Sequence, residues 1–316
     1  MGLASMRTRT SPGPGQVRIR MLASPINPSD LLYVRGQYGK PPPLPATPGF
    51  EGVGVVEEGQ GFWARRLIGR RVAVLNARGG NWAEKVVIPW RQAVPMPRDL
   101  PDEQAATFFV NPATALVMTR YVLRVSRGAW LLQTAAGSAL GRMVIRLGRR
   151  HGFRTLNVVR RREQVEELLR EGGTAAVATN DEDLAERVRA LTDGAGVPFA
   201  LDAVGGATGS SLVSLLTRGG RMLVYGSLSL QPLTLDPRAL LFGQRRVEGF
   251  WLSEWVRDQG ALTMLWLFSR LKRLIRAGVL RTEIGQTFPL DQVREACRAA
   301  EQPGRRGKVL LMINRA

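Results

Sequence analysis

A short apolar run, Trp130-Leu-Leu-Gln-Thr134, leads into Ala135-Ala-Gly-Ser-Ala-Leu-Gly141 and then into a stretch with helical periodicity. Small residues at 136, 138 and 141 are what a dinucleotide-binding turn requires. They permit a tight strand-to-helix bend, let backbone N–H groups approach a pyrophosphate, and let the helix lie close on the strand. Only Gly141 is a glycine in register, so the motif draws its weight from the strand after it. That next apolar run, Thr155–Val159, ends in Arg160-Arg161-Arg162, 19 residues beyond Gly141. A site for NAD carries Asp or Glu roughly 20 residues after its glycines, where the carboxylate bonds the ribose 2′-hydroxyl. Guanidiniums stand here instead, and they can grip a 2′-phosphate through paired N–H donors. Cations at a helix start also run against the helix dipole, which speaks against a merely solvated basic turn. The residues therefore predict NADPH as cofactor. Two later runs, Phe199-Ala-Leu-Asp-Ala-Val-Gly-Gly206 and Arg221-Met-Leu-Val-Tyr-Gly-Ser227, pass from apolar to glycine and predict further strand ends on the same crevice.

The elements that must hold these residues follow from the patterning. Residues 14–105 are rich in glycine and proline, with short β-like runs at Gln16–Leu22, Gly52–Glu57, Arg71–Leu75 and Trp82–Val87, and predict a compact β-rich domain. Lys40 to Pro48 carries five prolines and reads as an extended loop. Asp102–Leu123 is predicted helical with a break at Pro112. Strands and helices then alternate: strands at Trp130–Thr134, Thr155–Val159, Ala175–Ala178, Phe199–Ala203 and Arg221–Tyr225, helices at Ala139–His151, Arg162–Glu171, Asp181–Thr192 and Thr208–Leu216. That order predicts an α/β fold with a doubly wound parallel sheet. Beyond residue 250 lie a helix over Gly260–Ala277, another over Leu290–Glu301 and a last strand, Lys308–Ile313.

Composition removes several other chemistries. The 316 residues hold one cysteine, Cys297, and one histidine, His151, so neither a disulfide framework nor a Cys/His zinc site can be assembled. Cys297 is expected to pack within a helix, and His151 to lie on the surface at a helix end. No uncharged apolar run is long enough for a membrane span, and the first ten residues lack the apolar core of a secretory signal; a cytoplasmic protein is expected. Basic residues number 45 against 26 acidic, a net charge of +19, and all but Lys40, Lys85, Lys272 and Lys308 are arginine. Such a surplus suits phosphate-bearing ligands or an acidic partner. The arginines form no single tract and aromatics are only 7%, which disfavours nucleic acid.

Ile26-Asn-Pro-Ser-Asp30, Pro48-Gly-Phe-Glu-Gly52, the degenerate glycine loop and Gly307-Lys-Val-Leu310 resemble the medium-chain dehydrogenase/reductase superfamily over about residues 14–313. Within it, Gly36-Gln-Tyr-Gly39, Val110-Asn-Pro-Ala-Thr114, Asn157-Val-Val-Arg-Arg-Arg162 and Gly249-Phe-Trp-Leu252 look most like the 2-enoyl thioester reductases, with quinone oxidoreductases as near neighbours. The resemblance implies a GroES-like substrate and catalytic domain, residues 1–111 with 250–316, and an NADPH-binding Rossmann domain, residues 112–249. The zinc branch places a cysteine and a histidine where Asn27 and Phe50 stand here, so the resemblance is to the zinc-independent branch. It puts NADPH against Asn111, Thr114, Gly137, Ser138, Ala139, Leu140, Gly141, Arg160, Arg161, Arg162, Tyr225, Gly226, Ser227, Leu228, Phe250, Trp251, Leu252 and Lys308. It makes Tyr38 the catalytic hydrogen-bond or proton donor and sets Trp251 beside the nicotinamide. Fewer residues precede the Pro14-Gly-Gln-Val17 strand than is usual in the family, so the β-rich domain is expected to lack strands or to start late.

The implied reaction is hydride transfer from NADPH to an activated C=C in a dry cleft between the domains. The implied substrate is a 2-enoyl thioester, with an acidic acyl carrier protein as a partner and a homodimer as the assembly. A quinone is the alternative acceptor. A non-catalytic NADPH- or nucleic-acid-binding protein is the alternative of another class.

Overall fold

The structure, a computed structural model, describes residues 11–39 and 43–314. The expectations for the first ten residues, and for Lys40 with the two prolines after it, lie outside them. The chain forms two compact units, one from the residues up to Val110 together with those from Arg281, the other from Asn111–Leu280.

The first unit opens with strand β1 (Gln16–Pro25), helix α1 (Pro28–Val34), strand β2 (Glu51–Gly59), helix α2 (Phe62–Arg65), then strands β3 (Arg71–Leu75), β4 (Lys85–Pro89) and β5 (Ala93–Pro95) and helix α3 (Asp102–Ala106). Along the first half of β1, side chains alternate as the two-residue period of a strand demands. Val17, Ile19 and Met21 are fully buried, while Arg18 and Arg20 face outward toward Glu57 and Glu58. β1 has more than two neighbours: residues 16–20 pair with β4, while residues 17–23 pair with β2. Two register shifts in the β1–β2 ladder accommodate this, and the sheet curves around a core of Val17, Ile19, Met21, Val56, Val72, Val74, Val86 and Ile88.

The second unit begins one residue into helix α4 (Val110–Val117), which runs into a π-helical turn, Met118–Val122. The helical stretch expected from Asp102 to Leu123 does break, but at residues 107–109 rather than at Pro112. Pro112 lies in the first turn of α4, where a missing N–H leaves no intrahelical bond unmade. Then come β6 (Trp130–Gln133), α5 (Ala139–His151), β7 (Arg154–Val159), α6 (Glu163–Arg170), β8 (Ala175–Ala178), α7 (Leu184–Leu191), β9 (Val197–Asp202), α8 (Gly206–Ser214), β10 (Leu216–Val224), α9 (Pro237–Leu241), β11 (Arg246–Gly249), α10 (Leu252–Arg257) and α11 (Ala261–Arg276). The six strands are all parallel, in the order β11-β10-β9-β6-β7-β8. Because helices cover both faces of such a sheet, its strands read as continuous apolar runs, and all four residues of β6 are buried. The core gathers Trp130, Leu132, Leu156, Val158, Val177, Val188, Ala200, Leu212, Val213 and Met222.

The second boundary differs from the sequence expectation. Residues 250–280 stay with the second unit, because α11 buries Leu267, Leu271, Leu274 and Ile275 and such a stripe needs a partner core. Only from Arg281 does the chain rejoin the first unit, as β12 (Ile284–Pro289), α12 (Val293–Glu301) and β13 (Lys308–Met312). β13 pairs with the far end of β1, from Ala23 to Pro25, and β12 joins it in parallel. Cys297 packs within α12 at 8% exposure, and burial pushes its thiol up to about 11, where it is inert at neutral pH.

Leu132 lies fully buried in the central strand β6. Leu132→Ala removes that side chain and leaves a cavity that a sheet packed on both faces cannot close. It is expected to lower unfolding free energy by about 3 kcal/mol, read as a lowered urea midpoint at unchanged slope.

Candidate functional site

The loops that follow the six strands of the second unit lie at the carboxyl edge of its parallel sheet, where such folds bind ligands. The loop after β6 bends sharply, with Ala135 at φ +49. Ser138 caps α5, its hydroxyl accepting from the Gly141 N–H at 3.1 Å. A Cβ on Gly141 would stand 2.4 Å from the Ala136 carbonyl oxygen, so glycine is obligatory there and the helix start can approach the strand. The amides of Ala139 and Leu140 lie outside the intrahelical ladder and are the donors a phosphate uses. Leu140 itself is buried, so it can serve a ligand only through its backbone.

The end of β6 is locked to the end of β9. Thr134 Oγ1 donates to Asp202 Oδ1 at 2.7 Å and accepts from the Ala203 N–H at 2.9 Å. Asp202, fully buried, also accepts from the N–H groups of Val204 (3.0 Å) and Gly205 (2.9 Å). The loop after β10 is tied to the same point: Tyr225 N–H donates to the Asp202 carbonyl and Leu228 N–H to that of Ala203. A Cβ on Gly226 would meet the Ala203 carbonyl at 2.9 Å. Tyr225 is half-buried; burial, reinforced by the Asp202 charge, holds its phenol protonated. Ser227 and Leu228 are exposed. Phe250 N–H donates to the Val224 carbonyl, and Trp251, 43% exposed, begins α10 with Leu252.

Beyond β7, the Arg160, Arg161 and Arg162 side chains are all exposed, and among the described residues none of the three forms an ion pair. Beneath this end, Gln133 Nε2 donates to Asn157 Oδ1 (2.7 Å) and to the Gly141 carbonyl (3.0 Å), while Asn157 Nδ2 donates to Ala175 O (2.8 Å). That buried chain fixes the start of α5 against β6, β7 and β8. Helix-start amides, a close-approach glycine and three unneutralised guanidiniums are the donor set that a pyrophosphate with a 2′-phosphate requires. Asn111 and Thr114 lie apart from these loops in sequence, on α4, with Thr114 buried at 7% exposure.

The first unit holds a second constellation. Asn27 precedes α1, and its amide bridges two charges: Nδ2 donates to Glu51 Oε1 at 3.0 Å, and Oδ1 accepts from Lys308 Nζ at 2.5 Å. Glu51 Oε2 accepts from the N–H groups of Phe109 (3.1 Å) and Val110 (2.9 Å). Asp30 accepts from Asn27 N–H (2.8 Å) and Phe50 N–H (3.1 Å). Asn27, Asp30, Glu51 and Lys308 are each at most 3% exposed. Burial lifts Asp30 to about 7, aided by the Glu51 charge; burial also lifts Glu51, and it brings Lys308 down to about 8. The Lys308 ammonium, expected against the cofactor, donates here to Asn27 with the Glu51 and Asp30 carboxylates nearby.

Phe50 is held among aromatics. Tyr33 meets it edge-on at 5.3 Å between ring centroids, and Tyr38 is tilted 45° against it at 5.2 Å. The Tyr33 hydroxyl donates to the Arg78 carbonyl. Tyr38 is half-buried, with its ring braced against Phe50.

Two family models match the chain: alcohol dehydrogenase GroES-like domain over residues 13–98 and zinc-binding dehydrogenase over residues 139–266. The mitochondrial enoyl-[acyl-carrier-protein] reductase of Homo sapiens is 35% identical over 302 residues, covering 94% of this chain and 81% of that protein. The chain belongs to the medium-chain dehydrogenase/reductase superfamily. It falls in the zinc-free branch of that superfamily, with Asn27 engaged by Lys308 and Glu51 and Phe50 packed between two tyrosines. Among solved structures, the quinone oxidoreductase of Thermus thermophilus, described also in complex with NADPH, has a TM-score of 0.82 at 31% identity, covering 99% of this chain and 95% of that one. A 2-haloacrylate reductase has a TM-score of 0.85 at 25% identity over 98% and 94%.

Sequence reasoning placed the superfamily's glycine turn, the arginines and the later strand ends at one edge of one sheet, and the structure gathers them there. It missed the groups that hold that edge together. Asp202 was visible as a lone carboxylate ending an apolar strand before two glycines, a pattern that signals a loop-organising acceptor. Gln133 and Asn157, polar residues inside apolar strands, carried the same signal. His151 is half-buried instead of lying on the surface.

The buried cluster of the first unit makes a pH prediction. Because Asp30 in the folded chain titrates near 7 and in the unfolded chain near 4, the folded state holds a proton that the unfolded state gives up across that interval. The stability this group contributes is complete below about pH 4 and is lost as pH rises toward 7. Asp30→Asn removes the titration, so unfolding free energy, followed by urea denaturation, is expected to vary less between pH 4 and 7 than in the wild type. An unchanged slope would mean that Asp30 stays ionised throughout.

Proposed function

We propose that the chain reduces the activated C=C of a 2-enoyl thioester with NADPH. The observation that carries this reading is the triple-arginine end of β7 beside the glycine-tight start of α5, in a chain 35% identical to an enoyl-[acyl-carrier-protein] reductase over nearly all its length. When bound, the cofactor supplies the hydride. The protein's share is to hold and orient. The amides of Ala139 and Leu140 receive the pyrophosphate, Arg160, Arg161 and Arg162 grip the 2′-phosphate, and Tyr225–Leu228 with Phe250, Trp251 and Leu252 bound the remainder. Asn111 and Thr114 belong to the same reading. Tyr38 Oη donates a hydrogen bond to the thioester carbonyl oxygen, on which negative charge grows as the β-carbon accepts hydride. The same hydroxyl is the acid for the α-carbon, since the chain's one histidine lies elsewhere in the fold.

The net charge of +19 supports an acidic carrier protein or a phosphate-bearing coenzyme as the thioester's handle. A homodimer forming along β11, the sheet's edge strand, is part of the proposal, supported by Leu241 and Phe242 at 70% and 75% exposure just before it. So is a cytoplasmic location, in keeping with a single, buried cysteine. The likeness to a quinone oxidoreductase structure favours one second reading, a quinone as acceptor.

Absorbance-monitored oxidation of NADPH with a 2-enoyl-CoA, and in parallel with a simple quinone, tests this. Turnover of the enoyl-CoA is expected, falling at least tenfold in Tyr38→Phe. The double variant Arg160→Ala/Arg161→Ala is expected to weaken NADPH about 10- to 100-fold, the loss of one charged hydrogen bond or a little more, while leaving NADH unaffected. Turnover of the quinone alone moves the protein to the second reading. Equal loss with both dinucleotides removes the arginines from 2′-phosphate recognition.

A further inference from the structure

The second unit holds another group of polar side chains at the opposite edge of its sheet. In a parallel sheet each helix returns the chain to the amino end of the next strand, and α5 ends at His151 just before β7 begins at Arg154. The turn after α4 lies alongside. Arg120 Nη1 donates to the Val125 carbonyl at 2.6 Å, Gly128 N–H donates to Gly152 O at 2.7 Å, and the Arg127 stem packs on Gly152. From α11, Arg270 lies 5.1 Å over the Trp266 ring, and that ring meets Tyr121 edge-on at 5.5 Å.

Arg120 Nε, Tyr121 Oη, His151 Nε2 and Arg270 Nε are sealed from solvent, and none has a hydrogen-bond partner among the described residues. All four atoms can donate. A buried donor left unmade costs about 1–3 kcal/mol, so four of them within one neighbourhood are a considerable fraction of a domain's stability. The charges point the same way. Burial, with Arg120, Arg270 and Arg150 nearby, drives His151 down to about 4, and no carboxylate opposes them. Cations at the end of α5 suit the helix dipole, which accounts for Arg149, Arg150 and His151 on that helix. It does not account for Arg120 and Arg270, brought in by other elements, or for the Tyr121 hydroxyl. One kind of group satisfies every donor and the charge at once: a compact oxyanion, with several acceptor oxygens. The helix end opposes it with only about half a charge, against the guanidiniums of Arg120 and Arg270.

We propose that Arg120, Tyr121, His151 and Arg270 form an oxyanion site, separate from the dinucleotide loops, that takes a phosphate group, either free or carried on a nucleotide.

His151 is the sole histidine, so its imidazole C–H proton gives a single NMR titration on the full chain. Inorganic phosphate, against sodium chloride at equal ionic strength, is expected to raise the His151 pKa by roughly one unit or more, saturably, because an anion favours the imidazolium. Arg270→Gln is expected to abolish the response. Tyr121→Phe, which removes only a hydroxyl, is expected to raise the phosphate Kd about five- to tenfold. Saturation with NADPH beforehand leaves the response in place. Adenosine 3′-phosphate is the second probe: tighter binding than inorganic phosphate assigns the site to a nucleotide phosphate, equal binding to the free anion. Identical His151 titrations in phosphate and chloride overturn the site, as does a full response in Arg270→Gln.

Discussion

The hydroxyl of Thr134 stands between the ends of two strands, giving its proton to Asp202 and taking one hydrogen bond from the backbone of Ala203. The placement of the ligand-facing loops depends on that clamp. Asp202 spends its other capacity on Val204 and Gly205, and its own carbonyl receives Tyr225. The ends of β6, β9 and β10 are therefore set by one buried residue whose two carboxylate oxygens and carbonyl all accept hydrogen bonds. A loop held this way needs no reorganisation when a ligand arrives, which is the condition for dipoles to act in catalysis. The first unit uses the same device: Glu51 takes two backbone N–H groups and the Asn27 amide, fixing β2 against the segment after α3.

The two residues standing where the zinc branch carries ligands show how a metal position is put to other use. A cysteine and a histidine would each offer a lone pair. Asn27 offers instead an amide with one donor and one acceptor face, and it uses both, one toward Glu51 and one toward Lys308. Phe50 offers only a ring, and the ring becomes a brace for Tyr38. With two carboxylates facing one lysine, burial raises the acids and lowers the base, as expected where desolvation outweighs pairing.

The parallel sheet was legible from sequence because its strands are buried on both faces and its helices amphipathic, so periodicity and burial coincide. Ala139–His151 and Ala175–Ala178 match to the residue. The glycine turn and the arginines were legible because dinucleotide chemistry restricts residue types at fixed spacing. Strands β5, β11 and β12 were not, being three to six residues long with mixed polarity. Their pairing comes from neighbours distant in sequence, which no local pattern records. The same holds for Lys308: its local context, a glycine-led apolar strand, says nothing of Asn27, far away in the chain.

The first unit is assembled from both ends of the chain, the second from one unbroken stretch. A ribosome therefore releases every strand of the parallel sheet before it has made β12 and β13. The second unit can fold while synthesis is still under way; the first must wait with the edge of β1 unpaired and with Glu51 and Asp30 lacking the lysine that offsets them. The entropy of closing so long a loop grows only as its logarithm, so the cost falls on time more than on stability. An unpaired strand edge is a feature that makes such intermediates prone to aggregate and that chaperones guard. Chain synthesis would thus be followed by a late docking step, and truncations near the carboxyl terminus should harm the β-rich unit first while sparing the nucleotide-binding fold.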